Sequence, residues 1–113
     1  VVGEVPTFSA TDSGTTNSYG VCSATDGSGV SICTLSSLRA EVKTLSITAP
    51  ISKADGTVTF LPGAPFAANS NISGTTAVAD GTATATVTIT LRDANNNPVP
   101  GATPTFSATD TGT

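Results

Sequence analysis

The chain has 113 residues, no His, Trp or Met, only 11% charged residues and a formal net charge of −4. This length suits one small domain at most, and the scarcity of cations argues against a nucleic-acid partner, because clustered Lys and Arg hold phosphate backbones. No apolar run approaches the roughly 20 residues of a membrane-spanning helix, and abundant Thr and Ser with few charges are typical of secreted or surface proteins.

The first predicted strand is PTFSA at residues 6–10, where apolar and polar residues alternate. The same letters return at 104–108, and eleven of fifteen positions are identical between residues 1–15 and 99–113. The offset of 98 residues suits one whole small domain, since solenoid repeats have periods of about 20–50 residues. We therefore expect the chain to carry parts of two successive domains of a tandem array.

The next predicted element is a hairpin that carries both cysteines. Its arms are residues 19–24 and 30–35. Folding CSATDGSGVSIC at Gly27 and Ser28 brings Cys22 opposite Cys33, close enough for a disulfide, and Asp26 with Gly27 is a turn-forming pair. We favour a disulfide, which would indicate an oxidising compartment. Free buried thiols and a metal or redox pair are the alternatives, although a structural metal site wants about four Cys or His ligands.

Two further strands are predicted at 44–49 and 56–60, with a turn at Asp55 and Gly56 before the second. The apolar phase slips between Val42 and Leu45, so a loop or a bulge is expected between 39 and 44, and the strand assignment of 36–44 stays open. Short strands separated by turns indicate an all-β sandwich.

Residues 61–74, LPGAPFAANSNISG, combine Pro, Gly and Asn with small residues between two strand patterns. This composition predicts a short interdomain linker that proline stiffens. The linker residues singled out are Pro62, Gly63, Pro65, Phe66 and Asn69. Accordingly, we expect residues 1–62 to be the C-terminal part of one domain, and residues 63–113 to be the linker and the N-terminal part of the next.

The strongest local pattern is TATATVTITL at 82–91, where Thr alternates with Ala, Val, Ile and Leu. Such strict alternation predicts a half-buried strand with Thr toward solvent. Turn formers precede and follow it, and a last strand is predicted at 104–108. The turn residues in this part of the chain are Asp80, Gly81, Asp93, Asn97, Pro98 and Gly101.

These elements follow a recognisable order. An Ala-Asp-Gly-Thr turn at 79–82 leads into the Thr-rich strand, an Arg-Asp pair at 92–93 precedes Pro-Val-Pro-Gly at 98–101, and Thr-Phe-Ser follows at 105–107. This order resembles the opening of a bacterial immunoglobulin-like domain of group 1, the type found in intimin and invasin adhesins.

Residues 25–31 and 34–37 resemble the turn and the Thr-Leu-x-Ser strand that come later in such domains. The resemblance therefore covers nearly the whole chain if the chain is read in circularly shifted order. It implies an antiparallel immunoglobulin-like β-sandwich, repeated in tandem with a period of about 98 residues.

The resemblance also implies a function: tandem domains of a bacterial cell-surface or extracellular protein that act as a mechanical stalk or spacer. The implied partners are neighbouring copies of the repeat. Two alternatives are kept. One is a small subunit that polymerises by strand donation between neighbours, and the other is a carbohydrate- or receptor-binding module whose receptor is unknown.

Catalysis is not expected. There is no His for a catalytic triad, no Lys in an apolar, periodic context for Schiff-base chemistry, and the acids mostly adjoin turn formers. No cofactor is expected either, with calcium at a domain junction as the alternative, because turn carboxylates grouped there would offer oxygen ligands.

Overall fold

The computed structural model describes residues 2–112 and consists of short antiparallel strands. The chain divides into two units, Val1–Pro62 and Gly63–Thr113. The first unit contains β1 Thr7–Ala10, β2 Asn17–Tyr19, β3 Leu35–Ser37, β4 Val42–Ala49 and β5 Lys53–Thr59. The second contains one 3₁₀ turn, Ala67–Asn69, followed by β6 Asn71–Gly74 and β7 Val87–Thr90. The all-β class is as predicted, while the assignment of the units to successive repeats stays a prediction.

The first unit is built on a three-stranded sheet in the order β1-β4-β5, beside a two-stranded sheet of β2 and β3. Phe8 of β1 pairs with Ile47 of β4, and both side chains line an open apolar cleft together with Leu35, Leu45 and Val58. These side chains come from both sheets, so the cleft is where the core of this unit lies.

The predicted turn at Asp55 and Gly56 is wrong, because both residues lie within β5. Pairing with β4 shifts between Thr44 and Ser46, and Gly56 has a φ of 88°. An extra residue in one strand, with glycine in the left-handed region, forms a β-bulge. The connection between β4 and β5 is instead made by residues 50–52.

The predicted arms at 19–24 and 30–35 are only partly correct, because β2 ends at Tyr19 and β3 begins at Leu35. The hairpin continues beyond them as two irregularly spaced backbone hydrogen bonds. Gly20 N donates to Thr34 O at 2.8 Å, and Ser23 N donates to Ile32 O at 2.9 Å.

Between these two bonds the first arm advances three residues, from Gly20 to Ser23, whereas the second arm covers only two, from Ile32 to Thr34. The extra residue is on the Val21 side, and the Val21 side chain is 89% exposed while the neighbouring Cys22 is buried. A bulge of this kind interrupts the ladder and re-aims the residue that follows. Alternation within each arm could not reveal it, because register depends on both arms.

Gly20 allows the close approach of the two arms, since a Cβ at this position would overlap Thr34 Oγ1. We expect Gly20→Ala to lower the free energy of unfolding of the first unit by about 1–3 kcal/mol, the usual cost of overpacking. Gly27→Ala in the same hairpin is the matched control, because a Cβ there meets nothing within 4 Å. Denaturant unfolding should separate the two variants; equal midpoints would contradict the close approach.

The strand predicted at 104–108 is absent. Its twin near the N-terminus is β1, which pairs with β4 over its whole length. No strand among residues 63–112 pairs with the C-terminal copy. A strand needs a hydrogen-bonding edge, so the same letters are ordered as a strand in one place and not in the other.

The predicted linker at 61–74 is wrong in its last part, because it contains the 3₁₀ turn and β6. Strand 82–91 is correspondingly shorter than predicted, with only Val87–Thr90 assigned as β7. The four residues of β6 pair with the four of β7. The limited length of this partner explains why residues 82–86 are not a strand.

Candidate functional site

Asp93 is the most highly connected polar residue of the second unit, and only 4% of it is exposed. Its carboxylate accepts hydrogen bonds from the backbone N of Gly63 at 2.8 Å and of Asn95 at 2.9 Å. Asn97 adds its backbone N at 2.8 Å and its Nδ2 at 3.1 Å. These bonds, with that of Gly63 the largest cause, outweigh burial and lower the pKa of Asp93 to about 2.

The same loop also holds other predicted linker residues. Asn69 Nδ2 donates to Asp93 O at 2.9 Å, and Phe66 N donates to Arg92 O at 2.8 Å. Phe66 remains 47% exposed. Hydrogen bonds therefore connect residues 63–70 to the loop after β7.

Two predicted linker prolines lie on either side of this attachment point. Pro62 is half-buried and Pro65 is exposed. Phe60 N donates to Glu41 O at 3.0 Å within the first unit. Only two residues, Leu61 and Pro62, separate Phe60 from Gly63, so the connection between the units is very short.

Cys22 and Cys33 are joined by a disulfide that spans 11 residues of sequence, with their Cα atoms 4.1 Å apart. The enclosed turn is organised by Asp26, whose carboxylate accepts from Val30 N at 3.0 Å and Ser28 N at 2.8 Å. These two bonds, led by that of Val30, lower the pKa of Asp26.

Residues near the N-terminus form hydrogen bonds with the tip of this hairpin. Thr25 N donates to Glu4 O at 2.7 Å, and Gly3 N donates to Thr25 O at 2.9 Å. Gly27 is open on its Cβ side, whereas Gly29 provides the positive φ, 78°, that the turn needs. The hairpin is thus closed covalently at its base and by backbone hydrogen bonds at its tip.

A buried ion cluster was missed by sequence reasoning. Lys43 is 0% exposed, and its Nζ lies 2.6 Å from Glu41 Oε2 and 3.7 Å from Asp12 Oδ1. Nζ also donates to Thr11 O at 3.3 Å. The expectation that no Lys stands in an apolar, periodic context is wrong. Lys43 lies two residues before Leu45 in β4, on the same face of the strand, and Leu45 lines the cleft.

The Lys43 ammonium faces two carboxylates, so the cluster has one more negative than positive charge. The side-chain hydrogen bond from Lys43 is the largest cause of the lowered pKa of Glu41. The pKa of Asp12 is also lowered, chiefly by the side-chain hydrogen bond from Thr16 and further by backbone hydrogen bonds that include that of Asn17. Removing one partner of such a buried, hydrogen-bonded ion cluster would leave an uncompensated charge.

The remaining predicted turn residues lie in separate loops. Asp80 accepts from Ala83 N at 2.8 Å and Thr82 N at 2.9 Å, and these bonds lower its pKa. Gly81 and Gly101 have φ values of 79° and 78°. Pro98 forms an isolated antiparallel bridge with Arg92, which closes the loop around Asp93 and Asn97.

No group of three or more His, Cys, Asp or Glu side chains among residues 2–112 is arranged to hold a metal ion. The calcium alternative stays a prediction, as does the expected lack of catalysis. No helix in the same range has the length and apolar character needed to cross a membrane.

Comparison with protein families gave a match between residues 66–113 and the family described as Invasin, domain 3. This match supports an intimin/invasin-type immunoglobulin-like domain in that part of the chain. The match confirms the resemblance stated for the C-terminal part of the chain, and it covers most of the second unit and none of the first. Comparison with curated proteins and with solved structures gave no match. The invasin-type domain together with the disulfide indicates an extracellular or surface protein.

Proposed function

We propose that the chain is a structural repeat of a long bacterial surface adhesin or extracellular fibre, in which tandem immunoglobulin-like domains act as a stalk or spacer. The invasin-type segment supports the class of protein. The duplication of residues 1–15 at 99–113 supports the tandem arrangement, with one repeat per 98 residues. The mechanical role is supported chiefly by the short connection at Leu61 and Pro62.

The strand pairing supports an immunoglobulin-like repeat whose parts are divided between the two units. Constant-type immunoglobulin sandwiches contain one sheet with strands A, B, E and D and one with strands C, F and G. The repeat is read in circular order, from the second unit into the first. In that order β6 and β7 correspond to A and B, β1, whose sequence returns at 105–108, corresponds to C, and β2 to β5 correspond to D, E, F and G. The observed sheets β1-β4-β5, β2-β3 and β6-β7 are then the C-F-G sheet and the two halves of the A-B-E-D sheet.

The connection between the units supports a spacer. Phe60 and Gly63 are hydrogen-bonded within different units, and three Cα steps separate them. Since each extended step is about 3.5 Å, the chain between these residues spans no more than about 11 Å. Proline at one of these two positions also restricts the backbone, because its ring fixes φ. Such a junction limits bending, which is what a stalk requires.

The proposal is tested first by the mass of the native polypeptide under denaturing conditions, with and without reductant. A covalent array gives a mass of many multiples of 98 residues that survives reduction. A species near 11.0 kDa would overturn the array and favour subunits that assemble by strand donation. Saturable binding of the chain to a glycan would favour the receptor-binding alternative.

Asp93→Asn should loosen the junction, because the neutral side chain loses the charge-assisted hydrogen bond from Gly63 N. We expect NMR relaxation to give two different rotational correlation times for the two units in this variant and a single one in the wild type. Asp80→Asn is the matched control, because Asp80 bonds only residues of its own turn in the contacts described above. If both variants tumble like the wild type, Asp93 does not stiffen the junction.

Acid should have the same effect on the wild type. The pKa of Asp93 is about 2 in the folded chain and 3.8 in the reference state, so the folded state binds this proton less readily than the unfolded state. The stabilisation is complete above pH 4 and is lost as the pH falls through about 2. Correlation times measured between pH 5 and pH 2 should diverge for the wild type, whereas Asp93→Asn should lack this transition.

A further inference from the structure

The buried cluster around Lys43 brings an amine and two carboxylates together inside the first unit. The side chain of Lys43 is 0% exposed, whereas those of Asp12 and Glu41 are 18% and 23% exposed. A lysine buried this completely loses the hydration of its ammonium, so it must be paired closely or give up its proton. The amine is therefore shielded from solvent and fixed beside two carboxyl groups.

The two carboxylates stand in different relations to the amine. Glu41 Oε2 accepts a hydrogen bond from Lys43 Nζ at 2.6 Å, so a proton can move along this bond to the carboxylate. Asp12 Oδ1 lies 3.7 Å from the same nitrogen, which is beyond hydrogen-bond distance. Glu41 is thus placed to take a proton from the ammonium, and Asp12 is the carboxyl group that the freed amine can approach.

The other oxygen of Asp12 is held by backbone N–H groups. Asp12 Oδ2 accepts from Thr16 N at 2.8 Å and from Asn17 N at 2.9 Å. Two backbone donors aimed at one carboxyl oxygen are the arrangement that stabilises the negative oxygen of a tetrahedral intermediate. The loop after β1 therefore holds Asp12 as an acceptor for a nucleophile as well as a partner for a charge.

The oxygen of Asp12 that faces Lys43 is held by different donors. Asp12 Oδ1 accepts from the Thr16 hydroxyl at 2.7 Å and from Gly14 N at 3.1 Å. Hydrogen bonds to an oxygen that carries negative charge help it to depart once it is protonated. The two oxygens are thus distinguished, with Oδ2 placed to remain on the carbon and Oδ1 placed to leave.

The fold supplies the proximity that this reaction lacks in water. Fixed neighbours reach effective molarities of about 10⁵–10⁸ M when they are well oriented. Asp12 follows β1, and Lys43 belongs to β4, the strand with which β1 pairs. Thr11 N donates to Thr44 O at 3.0 Å, and Lys43 Nζ donates to Thr11 O at 3.3 Å. Pairing of the strands therefore sets the amine against the carboxyl group.

We propose that Lys43 and Asp12 join in an intramolecular amide bond that the folded chain forms by itself. Nζ gives one proton to Glu41, and the neutral amine forms a bond to Asp12 Cγ while Glu41 passes that proton to Oδ1. Nζ then gives a second proton to Glu41, which passes it to the same oxygen. The Cγ–Oδ1 bond breaks and Oδ1 leaves as water. An ammonium and a carboxylate thus become an amide and water, and Glu41 returns to its ionised form.

The bond would close a loop of 31 residues, because 43 − 12 = 31, and this loop contains the disulfide-linked hairpin. Fully extended, the loop would span about 105 Å, and none of that length would be released when the first unit is pulled. The inference goes beyond the proposed function, because the bond forms whether or not the chain belongs to a covalent array.

The test is the intact mass of the purified full chain, measured after reduction so that the disulfide makes no contribution. The wild type should weigh about 18 Da less than its sequence, because amide formation releases one water. This measurement needs no variant. Folded wild type that still has its full sequence mass after a week at room temperature would overturn the inference.

Digestion with trypsin shows which segments are joined. Trypsin should cut after Arg39 and Lys53 but not after Lys43, because the amide removes the charge of that side chain. Residues 1–39 and 40–53 should then remain together as one species after reduction. Release of residues 40–43 as a free peptide in the full yield expected for an unmodified chain would contradict the bond.

Fragmentation of the joined species identifies the acceptor. The link should lie at Asp12 and not at the other acids of residues 1–39, which are Glu4 and Asp26. A loss of water in a digest that releases residues 1–39 unattached would mean that Lys43 had joined Glu41 within its own strand. That result would overturn the assignment of the acceptor.

Glu41→Gln tests the proton carrier. The amide keeps the length of the side chain and can still accept a hydrogen bond from Lys43, but it cannot take up a proton. We expect this variant to keep its full sequence mass while its far-UV circular dichroism matches that of the wild type. Glu4→Gln is the matched control, because Glu4 is exposed and lies outside the cluster, and it should lose water as the wild type does. A folded Glu41→Gln chain that loses water as completely as Glu4→Gln would overturn the mechanism.

Discussion

Replacing both Cys22 and Cys33 with Ser should lower the free energy of unfolding of the first unit by about 3 kcal/mol. The disulfide closes a short loop, and cross-linking a loop of this size restricts the unfolded chain by about that amount. The loss matters because Cys22 is the one apolar residue of the described chain that is buried. Little other core is therefore available to compensate for the lost bridge.

The measurement can be confined to the first unit. The chain has one Tyr and no Trp, and Tyr19 lies at the end of β2, beside the hairpin. Denaturant unfolding followed by tyrosine fluorescence therefore reports on this unit. Wild-type protein with reductant should unfold like the double variant, and a reduced wild type that keeps the oxidised midpoint would contradict the prediction.

The same bond should be visible under tension. The disulfide joins residues 11 apart in sequence whose Cα atoms are 4.1 Å apart. Extended fully, those 11 steps would span about 38 Å, so reduction should add about 35 Å to the contour length gained when the first unit unfolds. Single-molecule pulling of Glu41→Gln with and without reductant measures this increment, because a Lys43–Asp12 bond would enclose the disulfide in a longer closed loop. A stalk domain with the disulfide intact is protected from that extra extension.

Features that depend on neighbours in sequence were predictable. The turn at Asp26 and the loop at Asp93 both rest on a carboxylate that bonds backbone N atoms a few residues away. Such turns are set by local chemistry, which a short window contains. The Asp93 bond to Gly63, 30 residues away, was not predictable, because nothing in either window indicates that the other is near.

Strand boundaries depended on partners and were less predictable. The alternation at 82–91 is strict, yet β7 extends only as far as β6 provides an edge. In β5 the Asp55 and Gly56 pair suggested a turn, while pairing with β4 made it a bulge. Alternation indicates which residues can form a strand, whereas the neighbouring strand decides which of them do.

The buried ion cluster was not predicted from the sequence, for a different reason. Lys43 lies in the stretch where the apolar phase slips, and a loop or a bulge accounted for the slip equally well. The structure has a strand there, with Lys43 taking an inward position that Glu41 and Asp12 neutralise. A charged residue in an apolar phase, with acids nearby, is the signal that could have found it.

The repeated stretch provides the sharpest comparison, because the chain contains its own control. Phe8→Ala should lower the free energy of unfolding of the first unit by about 2 kcal/mol, less than for a fully buried Phe because Phe8 is half-buried. Its ring lies edge-on to Tyr19 with centroids 5.3 Å apart, and it pairs with Ile47. The variant removes the ring contact and part of the cleft lining.

Phe106→Ala removes the same ring from the same local sequence, TFSATD, but Phe106 is 60% exposed and lies outside any strand. We expect its effect to be within about 0.5 kcal/mol, as for other exposed positions. Both variants should be measured by denaturant unfolding followed by far-UV circular dichroism, which reports on the strands of both units. Equal losses would mean that both copies of the stretch are packed alike, and that pairing with β4 does not distinguish them. Unequal losses would mean that an identical sequence contributes to stability only where a partner edge is present.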